Sequence, residues 1–570
     1  MWILGISKSH NGAVALSNNG KVISAIQAER ISRVKRQAIK LENDKTLVSE
    51  CVNYCLDQAG IKHSDLHSIS ICTPWDVVPI ENEKLFNLIG GIPKNYKKTY
   101  YVPHHYAHAE YILHYSNLSK GIILVIDGSG TKEKDRKLFN IQEKVDTKCK
   151  SYVEESGKET ISAYFFDGKE VSLIYRFGLS ADKNNQININ GNGFLQSIGH
   201  YWRWASNYCC GSHSEAGKVM GLAAFGNCET HKDLKILTLD LDGFLEVNYK
   251  KLNEKFKHPN IFGKDLTQNS HYSDIAAMVQ KDTENILIKI LTILKNKYPT
   301  DTLYYSGGVA LNMVANEKII RSNLFKNIIL NGSVEDNGTA IGAALAAYNA
   351  QTGARSTSPL TDYYGKVYSD DEILKSIKKF PFKYELLTEE KKYRVVSSLI
   401  FENNVVGWFQ DRSEFGPRAL GNRSILANPK SQYTKYILDL HIKQRDRYRP
   451  YSPVVLEEYA KKFFDIEGNS PVMMSGGKVL SNNFPAITHR DNSARVQTLS
   501  EKNNKIFYRL IKSFYKISGY PIILNTSFNL PGEPIVENPT DALNSFTNGA
   551  LQYLCIGNYL VTRNQLKNKN

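Results

Sequence analysis

The sequence lacks the marks of a membrane-spanning or secreted protein. No apolar stretch approaches the length of about 20 residues that crosses a bilayer as a helix. Polar residues enter the first positions too early for a signal peptide. The eight cysteines include no C-x-x-C pair, and we interpret them as buried thiols, with Cys51 and Cys55 on one helix face. We therefore expect a cytoplasmic protein without a disulfide framework.

Long blocks of basic residues are also absent, although the chain is basic overall. The 570 residues carry a formal net charge of +15, and lysine and arginine are scattered among acidic residues. This distribution suits a phosphate-bearing small substrate as well as it suits a nucleic acid. With 42% hydrophobic and 23% charged residues, the composition is that of a globular protein. The length predicts about two to four domains.

Two segments share one pattern, which predicts a duplicated fold. Residues 1–30 alternate as strand, turn, strand, hairpin and strand, with Asn19-Gly20 at the hairpin. Residues 121–178 repeat this pattern with Asp167-Gly168 at the hairpin, and a charged insertion over 131–160 is expected to be solvent-exposed. Such a duplicated unit resembles the architecture of actin and the sugar kinases, whose first-turn polar groups face phosphate across a central cleft.

The stretch HHYAHA indicates a candidate metal site. His104 and His108 are four residues apart, so a helix places both imidazoles on one face. A buried strand follows and ends at Asp127. Two histidines and one carboxylate form a ligand set that suits iron, zinc or manganese, although surface or capping histidines would show the same spacing. Asp336, at another strand-to-helix junction, is a candidate fourth ligand.

A glycine-rich turn indicates a second candidate site. Ser306-Gly307-Gly308 follows a predicted strand and precedes a predicted helix that contains Asn312. Free backbone N–H groups at such a turn bind anions or nucleotides, although an ordinary tight turn looks the same.

Helical periodicity and a change in composition organise the rest of the chain. Helices are predicted over residues 40–60 and 270–298, the second capped by Ser273.

The stretch 351–362 is rich in glycine, serine, threonine and proline, and it is the best candidate for a domain boundary.

Beyond that boundary, cations recur beside glycines and prolines. They are Arg412, Arg418, Arg423, Lys443, Arg445, Arg447, Arg449, Arg490 and Arg495. Arginines placed in this way favour bidentate recognition of phosphate or carboxylate, with a solvated charged face as the alternative. Aromatic residues between them would also suit a base or an RNA loop. An apolar strand nearby ends in Asn525-Thr526-Ser527.

Several motifs together resemble the ATP-dependent O-carbamoyltransferases, which include the tobramycin, novobiocin, cephamycin and nodulation-factor enzymes. The matching stretches span nearly the whole chain: HHYAHA, VIDGSG, EAGKVMGLAAFG, SGGVALN, EDNGTAIGAA, EFGPRALGNRSILANP, KQRDRYRPYSP, ARVQT and LNTSFNLPGEPIVENP. The resemblance implies an α/β protein with a duplicated actin- and sugar-kinase-like (ASKH) domain over residues 1–355. An α+β YrdC-like domain follows over residues 356–570.

The resemblance also implies a reaction. The C-terminal domain uses ATP, with Mg, and carbamoyl phosphate to form carbamoyl adenylate, releasing phosphate and pyrophosphate. The N-terminal domain then transfers the carbamoyl group to a hydroxyl of a small secondary metabolite, as in antibiotic biosynthesis, and releases AMP.

Site residues carry over at matching positions. The implied metal ligands are His104, His108, Asp127 and Asp336, with Fe(II) as the expected ion and Mn or Zn as alternatives. The implied adenylate-binding residues are Gly307, Gly308, Asn312, Glu215 and Lys218. The implied residues of the phosphate site are Arg418, Lys443, Arg449, Arg495, Asn525 and Ser527. His10 matches a proposed general base, and a neutral imidazole suits that role. The family commonly has Asp where this chain has Asn11, so Asn11 is given no catalytic role.

Other functions stay open at the level of sequence. An RNA-modifying enzyme of the tRNA threonylcarbamoyladenosine type would share the metal and nucleotide residues, and the positive charge mildly favours it. The fused second domain favours the carbamoyltransferase, with nucleic acid as the less favoured partner. An actin-like nucleotide-gated binding module is a third alternative. The acceptor is open, as is the oligomeric state, with a homodimer among the options.

Overall fold

A computed structural model describes residues 1–41, 44–116, 118–143, 151–154, 157–179, 195–256 and 266–563. The chain forms two compact units. The first unit contains Met1–Ala28 and Arg36–Thr361, and the second contains Glu29–Lys35 and Asp362–Asn570. No pattern in the sequence indicates that the short segment Glu29–Lys35 belongs with the second half of the chain.

The first unit is built from short strands, most of them buried. They are β1 (Trp2–Ser7), β2 (Ala13–Asn18), β3 (Lys21–Gln27), β4 (Leu66–Thr73), β5 (Lys98–Pro103), β6 (Gly121–Ile126), β7 (Gln142–Glu143), β8 (Tyr152–Val153), β9 (Ile161–Phe166), β10 (Val171–Gly178), β11 (Leu237–Leu239), β12 (Leu245–Val247), β13 (Thr302–Ser306) and β14 (Asn327–Ile329).

Helices connect these strands, and the first of them belongs to the second unit from Glu29 onward. They are α1 (Ala28–Ser32), α2 (Lys45–Ala59), α3 (Asn82–Ile89), α4 (His104–Leu113), α5 (Glu133–Arg136), α6 (Ile198–Cys210), α7 (Ala216–Leu222), α8 (Tyr249–Lys255), α9 (Ser270–Lys297), α10 (Met313–Arg321) and α11 (Gly338–Thr352). Short 3-10 turns cover residues 63–65, 223–225, 228–234, 266–268 and 308–311.

Two sheets of the first unit have the same topology. One sheet has the order β3-β2-β1-β4-β5, and the other contains β10-β9-β6-β13-β14. In each sheet the first three strands in sequence pair antiparallel, and the next two continue parallel to the first strand. This repetition confirms the predicted duplicated fold of the actin and sugar-kinase class. The central parallel strands β1, β6 and β13 are buried, as expected for strands covered by helices.

Small residues let α11 pack closely against its neighbours. A side chain at Gly5 of β1 would place its Cβ 2.0 Å from the Ala340 carbonyl oxygen, and one at Gly342 would lie 1.8 Å from the Ala107 carbonyl oxygen. The glycine- and alanine-rich sequence of α11 therefore holds this helix against both β1 and α4. This contact joins α4, which carries the two histidines, to the helix that follows Asp336.

The structure corrects three local predictions. Helix α9 begins at Ser270 and is capped by Asn269, whose side chain accepts a hydrogen bond from the His271 amide, so Ser273 is not the cap. Asn312 precedes α10 as its cap and does not lie within the helix. The insertion over 131–160 is not uniformly exposed: Phe139 and Ile141 belong to the core against α4 and β6. Their apolar side chains explain this burial.

The second unit is an α+β unit around a mixed sheet. Its strands are β15 (Lys383–Leu386), β16 (Val406–Phe409), β17 (Arg423–Ala427), β18 (Ser452–Leu456), β19 (Phe464–Asp465), β20 (Gly476–Val479), β21 (Ser493–Arg495), β22 (Gln497–Leu499), β23 (Ile522–Ser527), β24 (Tyr553–Ile556) and β25 (Tyr559–Thr562). The main sheet has the order β15-β25-β24-β16-β17-β23-β18-β22, and β19-β20-β21 form a smaller sheet.

Amphipathic helices cover the main sheet of the second unit. They include α12 (Asp370–Ile377), α13 (Glu389–Phe401), α14 (Gln432–Ile437), α15 (Ala460–Phe463), α16 (Lys505–Ser518) and α17 (Pro539–Asn548). A 3-10 turn covers residues 457–459, and a π-helix covers Leu438–Ile442. Helix α16 shows the helical period clearly, because it buries Phe507, Leu510, Ile511 and Phe514. Across the described residues of both units, no helix has the length and apolar character needed to span a membrane.

Candidate metal centre and anion-binding site

Helix α4 places two histidines in the interior of the first unit. It begins at His104, directly after β5, and all its residues are buried. His104 and His108 are fully buried, and their ring centroids lie 4.8 Å apart. The predicted arrangement on one helix face is therefore present.

Two carboxylates from different strand ends meet these rings. Asp127 follows β6, and its Oδ2 lies 3.3 Å from Nε2 of His104 and 3.4 Å from Nε2 of His108. Asp336 precedes α11, and its Oδ1 lies 3.3 Å and 3.7 Å from the same two nitrogens. One ligand atom from each residue lies within 4.8 Å of all the others.

The chemistry of this cluster fits a divalent cation. The Nε2 atom of His108 is buried, and no described residue forms a hydrogen bond with it. The other ring nitrogens face polar partners: Cys72 Sγ lies 3.5 Å from His104 Nδ1, and Ser306 Oγ lies 3.4 Å from His108 Nδ1. Such outer contacts orient metal-binding imidazoles. Two nitrogens and two carboxylate oxygens suit a transition metal.

Electrostatics keep both carboxylates ionised. Burial alone would raise the pKa of Asp336, but His104 and His10 hold it well below its usual range. Burial and Asp336 would likewise raise the pKa of Asp127, and the nearby imidazoles of His104 and His108 hold it low. The cluster therefore presents two negative charges to a cation throughout the neutral pH range.

His10 lies beside this cluster and is accessible to solvent. Its Nδ1 is 3.1 Å from Oδ2 of Asp336, and its side chain is 61% exposed. Attraction by Asp336 raises the pKa of His10 to about 9. A cation on Asp336 would oppose this shift and favour the neutral imidazole. Asn11 donates a hydrogen bond to Glu335 at 3.2 Å and so ties the first turn to the loop that carries Asp336.

The glycine-rich turn lies against the metal-ligand cluster. Gly307 has φ of +93°, and a Cβ there would lie 2.3 Å from the Ile126 carbonyl oxygen. A Cβ on Gly308 would lie 3.0 Å from Oδ1 of Asp127. The absence of side chains therefore brings the backbone of this turn beside Asp127.

The remaining predicted residues of the nucleotide site have other contacts. Asn312 accepts a hydrogen bond from the Ala315 amide and donates one to Gln280, so its side chain stabilises the start of α10. Glu215 and Lys218 lie at the start of α7, 3.7 Å apart and partly exposed.

The helix before α7 begins at the Asp127 turn. The Ser197 hydroxyl donates to the carbonyl oxygens of Asp127 and Gly128 at 3.0 and 3.1 Å. Helix α6 therefore leads from the metal-ligand cluster toward Glu215 and Lys218.

A cationic cluster occupies the second unit. We use this term for Arg418, Lys443, Arg445, Arg449 and Arg495. Burial, together with Arg445, Lys35 and Arg449, lowers the pKa of Lys443 well below its usual value. Burial, together with Arg418, Arg445 and Arg449, lowers the pKa of Arg495. Cations crowded in this way repel one another, so a bound anion would stabilise them.

Lys443 is held by oxygen acceptors. Its Nζ donates to the Asn529 carbonyl and side-chain oxygens at 2.9 and 2.8 Å, and also to the carbonyl and hydroxyl oxygens of Ser527. The Ser527 hydroxyl donates to Oδ1 of Asn529 at 2.6 Å. These contacts fix the ammonium group at the end of β23.

Asn525 presents a buried acceptor. Its Nδ2 donates to the Ala419 carbonyl at 3.0 Å and to Oε1 of Gln497 at 3.1 Å. Gln497 in turn donates to the Leu420 carbonyl, so two backbone carbonyls determine the orientation of both amides. Oδ1 of Asn525 is buried, and within the described part of the chain it has no hydrogen-bond partner.

Two features of this site are not predicted from the sequence, and one arginine has a structural role where its loop predicted a ligand-binding role. Asn529, two positions after Ser527, accepts a hydrogen bond from Lys443, and Gln444, the second residue after the π-helix, has φ of +41°. Short π-helical segments are frequent at functional sites, and Lys443 directly follows this one. Arg423 is fully buried, lies 3.6 Å from the ring centroid of Phe409 and donates to backbone carbonyls, so it supports the fold.

Two family models match most of the chain. The model described as carbamoyltransferase N-terminus matches residues 2–345, and the model described as carbamoyltransferase C-terminus matches residues 397–563. The chain is 28% identical to nodulation protein NolNO of Sinorhizobium fredii, over 97% of this chain and 79% of that protein. It is 31% identical to the 3'-hydroxymethylcephem-O-carbamoyltransferase of Amycolatopsis lactamdurans, over 58% of this chain and 61% of that protein. The crystal structure of T. kodakarensis HypF aligns with a TM-score of 0.37 and 14% identity, covering 62% of this chain and 48% of that one.

Proposed function

The chain belongs to the carbamoyltransferase family, and on this basis we propose that it uses ATP to transfer a carbamoyl group to a hydroxyl of a small secondary metabolite. The relative named for a hydroxymethylcephem supports a hydroxyl acceptor. Both family matches favour this reaction over RNA modification. The observation that carries the proposal is the cationic cluster, because it lies within the stretch matched by the carbamoyltransferase C-terminus.

The first half of the reaction belongs to the second unit, which we propose to be YrdC-like. Water cleaves carbamoyl phosphate into carbamate and phosphate. An oxygen of carbamate then attacks the α-phosphorus of ATP, bound with Mg, and pyrophosphate leaves. Arg418, Lys443 and Arg449 would stabilise the negative charge that develops on the phosphates, and Arg495 would share this role.

Asn525 and Ser527 complete this site. Oδ1 of Asn525 has no hydrogen-bond partner among the described residues. Because this atom is an acceptor, it suits an N–H group of carbamate better than a phosphate oxygen. The Ser527 hydroxyl lies 3.3 Å from Nζ of Lys443 and can turn toward a phosphate. The pair would thus distinguish the amino end of the substrate from its charged end.

The second half of the reaction belongs to the first unit. Its metal ligands would be His104, His108, Asp127 and Asp336, with iron(II) as the expected ion and manganese or zinc as alternatives. When bound there, the ion would neutralise phosphate charge on the adenylate. The backbone of Gly307 and Gly308 would approach the adenylate closely, because no side chain intervenes. Glu215 and Lys218 would contact its nucleoside, whereas Asn312 would shape the turn from behind.

His10 is the proposed base for this step. Its exposed ring would accept the proton from the acceptor hydroxyl. The hydroxyl oxygen then bonds to the carbamoyl carbon, the bond from that carbon to the adenylate oxygen breaks, and AMP leaves.

The test is to incubate the full chain with ATP, carbamoyl phosphate, Mg and a pool of hydroxyl-bearing metabolites. We expect pyrophosphate release that requires carbamoyl phosphate, AMP release that requires an acceptor, and a product heavier by one carbamoyl group. A matched reaction without carbamoyl phosphate is the control. Pyrophosphate release that is equal in both reactions would contradict the proposal.

A further inference from the structure

The segment Glu29–Lys35 belongs to the second unit, although both of its chain neighbours, Ala28 and Arg36, belong to the first. Three of its residues are cations: Arg30, Arg33 and Lys35. The segment contacts two loops that carry or hold members of the cationic cluster.

Arg30 anchors the segment to the loop that precedes Arg418. Its side chain is almost completely buried. Its Nη2 donates to the Gly416 carbonyl at 2.9 Å and lies 3.5 Å from the Glu414 carbonyl oxygen. Gly416 has φ of +132°, so a glycine is needed to present its carbonyl in this way. A buried guanidinium bound to carbonyl groups fixes this end of the segment.

Arg33 anchors the segment to a second loop. Its two terminal nitrogens donate to the carbonyl oxygens of Ile535 and Pro534 at 2.8 and 3.0 Å. Its Nη1 also lies 3.6 Å from Oδ2 of Asp541, which adds an ionic contact.

The loop that Arg33 binds is the one that holds Lys443. The residue before Pro534 is Glu533, whose carbonyl accepts a hydrogen bond from Nδ2 of Asn529 at 2.6 Å. Oδ1 of the same asparagine accepts from Nζ of Lys443 at 2.8 Å. A continuous chain of contacts thus leads from the segment to the ammonium group.

Lys35 is the third cation of the segment, and its side chain is accessible to solvent. Its Cα lies within about 7 Å of the Cα of Arg33, because the two residues are two positions apart in the chain. Among the neighbours of Lys443, the charge of Lys35 follows that of Arg445 in lowering the Lys443 pKa. The positive charge of Lys35 therefore interacts with the cationic cluster.

We propose that Lys35, carried by a segment that Arg30 and Arg33 anchor, is a further phosphate-binding cation of the anion site in the second unit. The ligand class is a small molecule that bears phosphate or pyrophosphate. The identity of the substrate rests on the proposed function, whereas the presence of the cation in an anion site does not.

The experiment compares Lys35→Gln with Lys40→Gln in the full chain. Both substitutions remove one exposed lysine charge, and Lys40 belongs to the first unit. Binding of inorganic pyrophosphate is measured by titration calorimetry at constant salt, and the KM for carbamoyl phosphate is measured by pyrophosphate release.

We expect Lys35→Gln to weaken pyrophosphate binding about 5- to 10-fold and to raise KM by a similar factor, with kcat changed less than about twofold, because a binding contact is lost equally in ground and transition states. Lys35→Arg should restore both values, and Lys40→Gln should match the wild type.

Three results would overturn the assignment of Lys35: unchanged pyrophosphate affinity in Lys35→Gln, an equal loss in Lys40→Gln, or no pyrophosphate binding by the wild type. A wild-type protein that binds pyrophosphate through Lys35 but does not turn over carbamoyl phosphate would contradict the proposed function and support the assignment.

Discussion

The two candidate sites have opposite charge balances. In the first unit, two carboxylates face two imidazoles, and each group stabilises the charge of another. In the second unit, cations face one another, and burial together with their mutual repulsion lowers the pKa values of Lys443 and Arg495. The first site therefore attracts a cation while its own groups remain paired. In the second site, the repulsion among the cations is compensated only when an anion binds.

This contrast suggests how one chain divides a reaction. Phosphate-bearing reactants carry several negative charges, and a crowded cationic cluster compensates them best. A site that contains both positive and negative groups suits the transfer step. In that step the acceptor hydroxyl would lose its proton while a metal ion holds the adenylate phosphate. Variants that act on one site and spare the other test this division.

The largest effect is expected from the cationic cluster. Lys443→Ala should reduce carbamoyl-phosphate-dependent pyrophosphate release by about 1,000-fold or more, because it removes a fixed donor beside the phosphates. The variant Lys461→Ala, at an exposed position of the same unit, is the control. Release at the normal rate in Lys443→Ala would show that this lysine is not part of the reacting site.

The next largest effect is expected at His10 and should appear only in transfer. His10→Asn should leave pyrophosphate release intact and slow formation of the carbamoylated product about 100-fold, because the base is lost. The measurement is the ratio of pyrophosphate to product over time. Product formation at the wild-type rate would remove His10 from the mechanism, and equal loss of both activities would contradict the division between the units.

A smaller effect is expected on metal content. His108→Ala should lower the affinity for a divalent ion at least about tenfold, measured by metal analysis after dialysis, because one of four converging ligands is lost. His441→Ala, at an exposed histidine of the second unit, should retain the metal. Removal of the metal by a chelator, followed by dialysis and assay with Mg restored, should impair transfer and spare pyrophosphate release. Full metal content in His108→Ala would contradict the ligand assignment.

The two sites also differ in how far their sequences predict them. The spacing of His104 and His108 is local, and helix geometry alone brings the rings together. Asp127 and Asp336 each lie where a buried strand gives way to a polar turn, and the duplicated topology brings such turns together. Short patterns therefore predict that these four side chains lie close together, as the structure shows, although the identity of the ion does not follow from them.

The second site depends on contacts between distant parts of the chain. Arg30 and Gly416 are 386 positions apart, and Arg33 and Ile535 are 502 apart. The hydrophobic periodicity of a sequence does not predict such contacts between distant residues, because they form only through tertiary packing. The same limit applies to Arg423. Its guanidinium is buried against the Phe409 ring, but its loop sequence alone does not distinguish this packing role from a ligand-binding role.

The smallest effect concerns a carboxylate of the first unit outside both sites. Asp282 accepts a hydrogen bond from the Tyr201 hydroxyl at 2.9 Å, but burial outweighs this contact and raises the pKa of Asp282 to about 6. Asp127 has the opposite shift, because imidazoles face it. The contrast indicates that burial raises the pKa of a carboxylate unless cationic partners, such as imidazoles, offset it.

Asp282→Asn tests this explanation through stability. The folded protein binds the Asp282 proton more tightly than the unfolded chain does, so ionised Asp282 destabilises the fold above pH 6, and stability is regained as pH falls through about 6. Partial exposure limits the effect, and we expect the variant to raise the free energy of unfolding by about 1 kcal/mol at pH 8. Denaturant unfolding should show a smaller gain at pH 5. An equal gain at both pH values would mean that the carboxylate charge is not the cause.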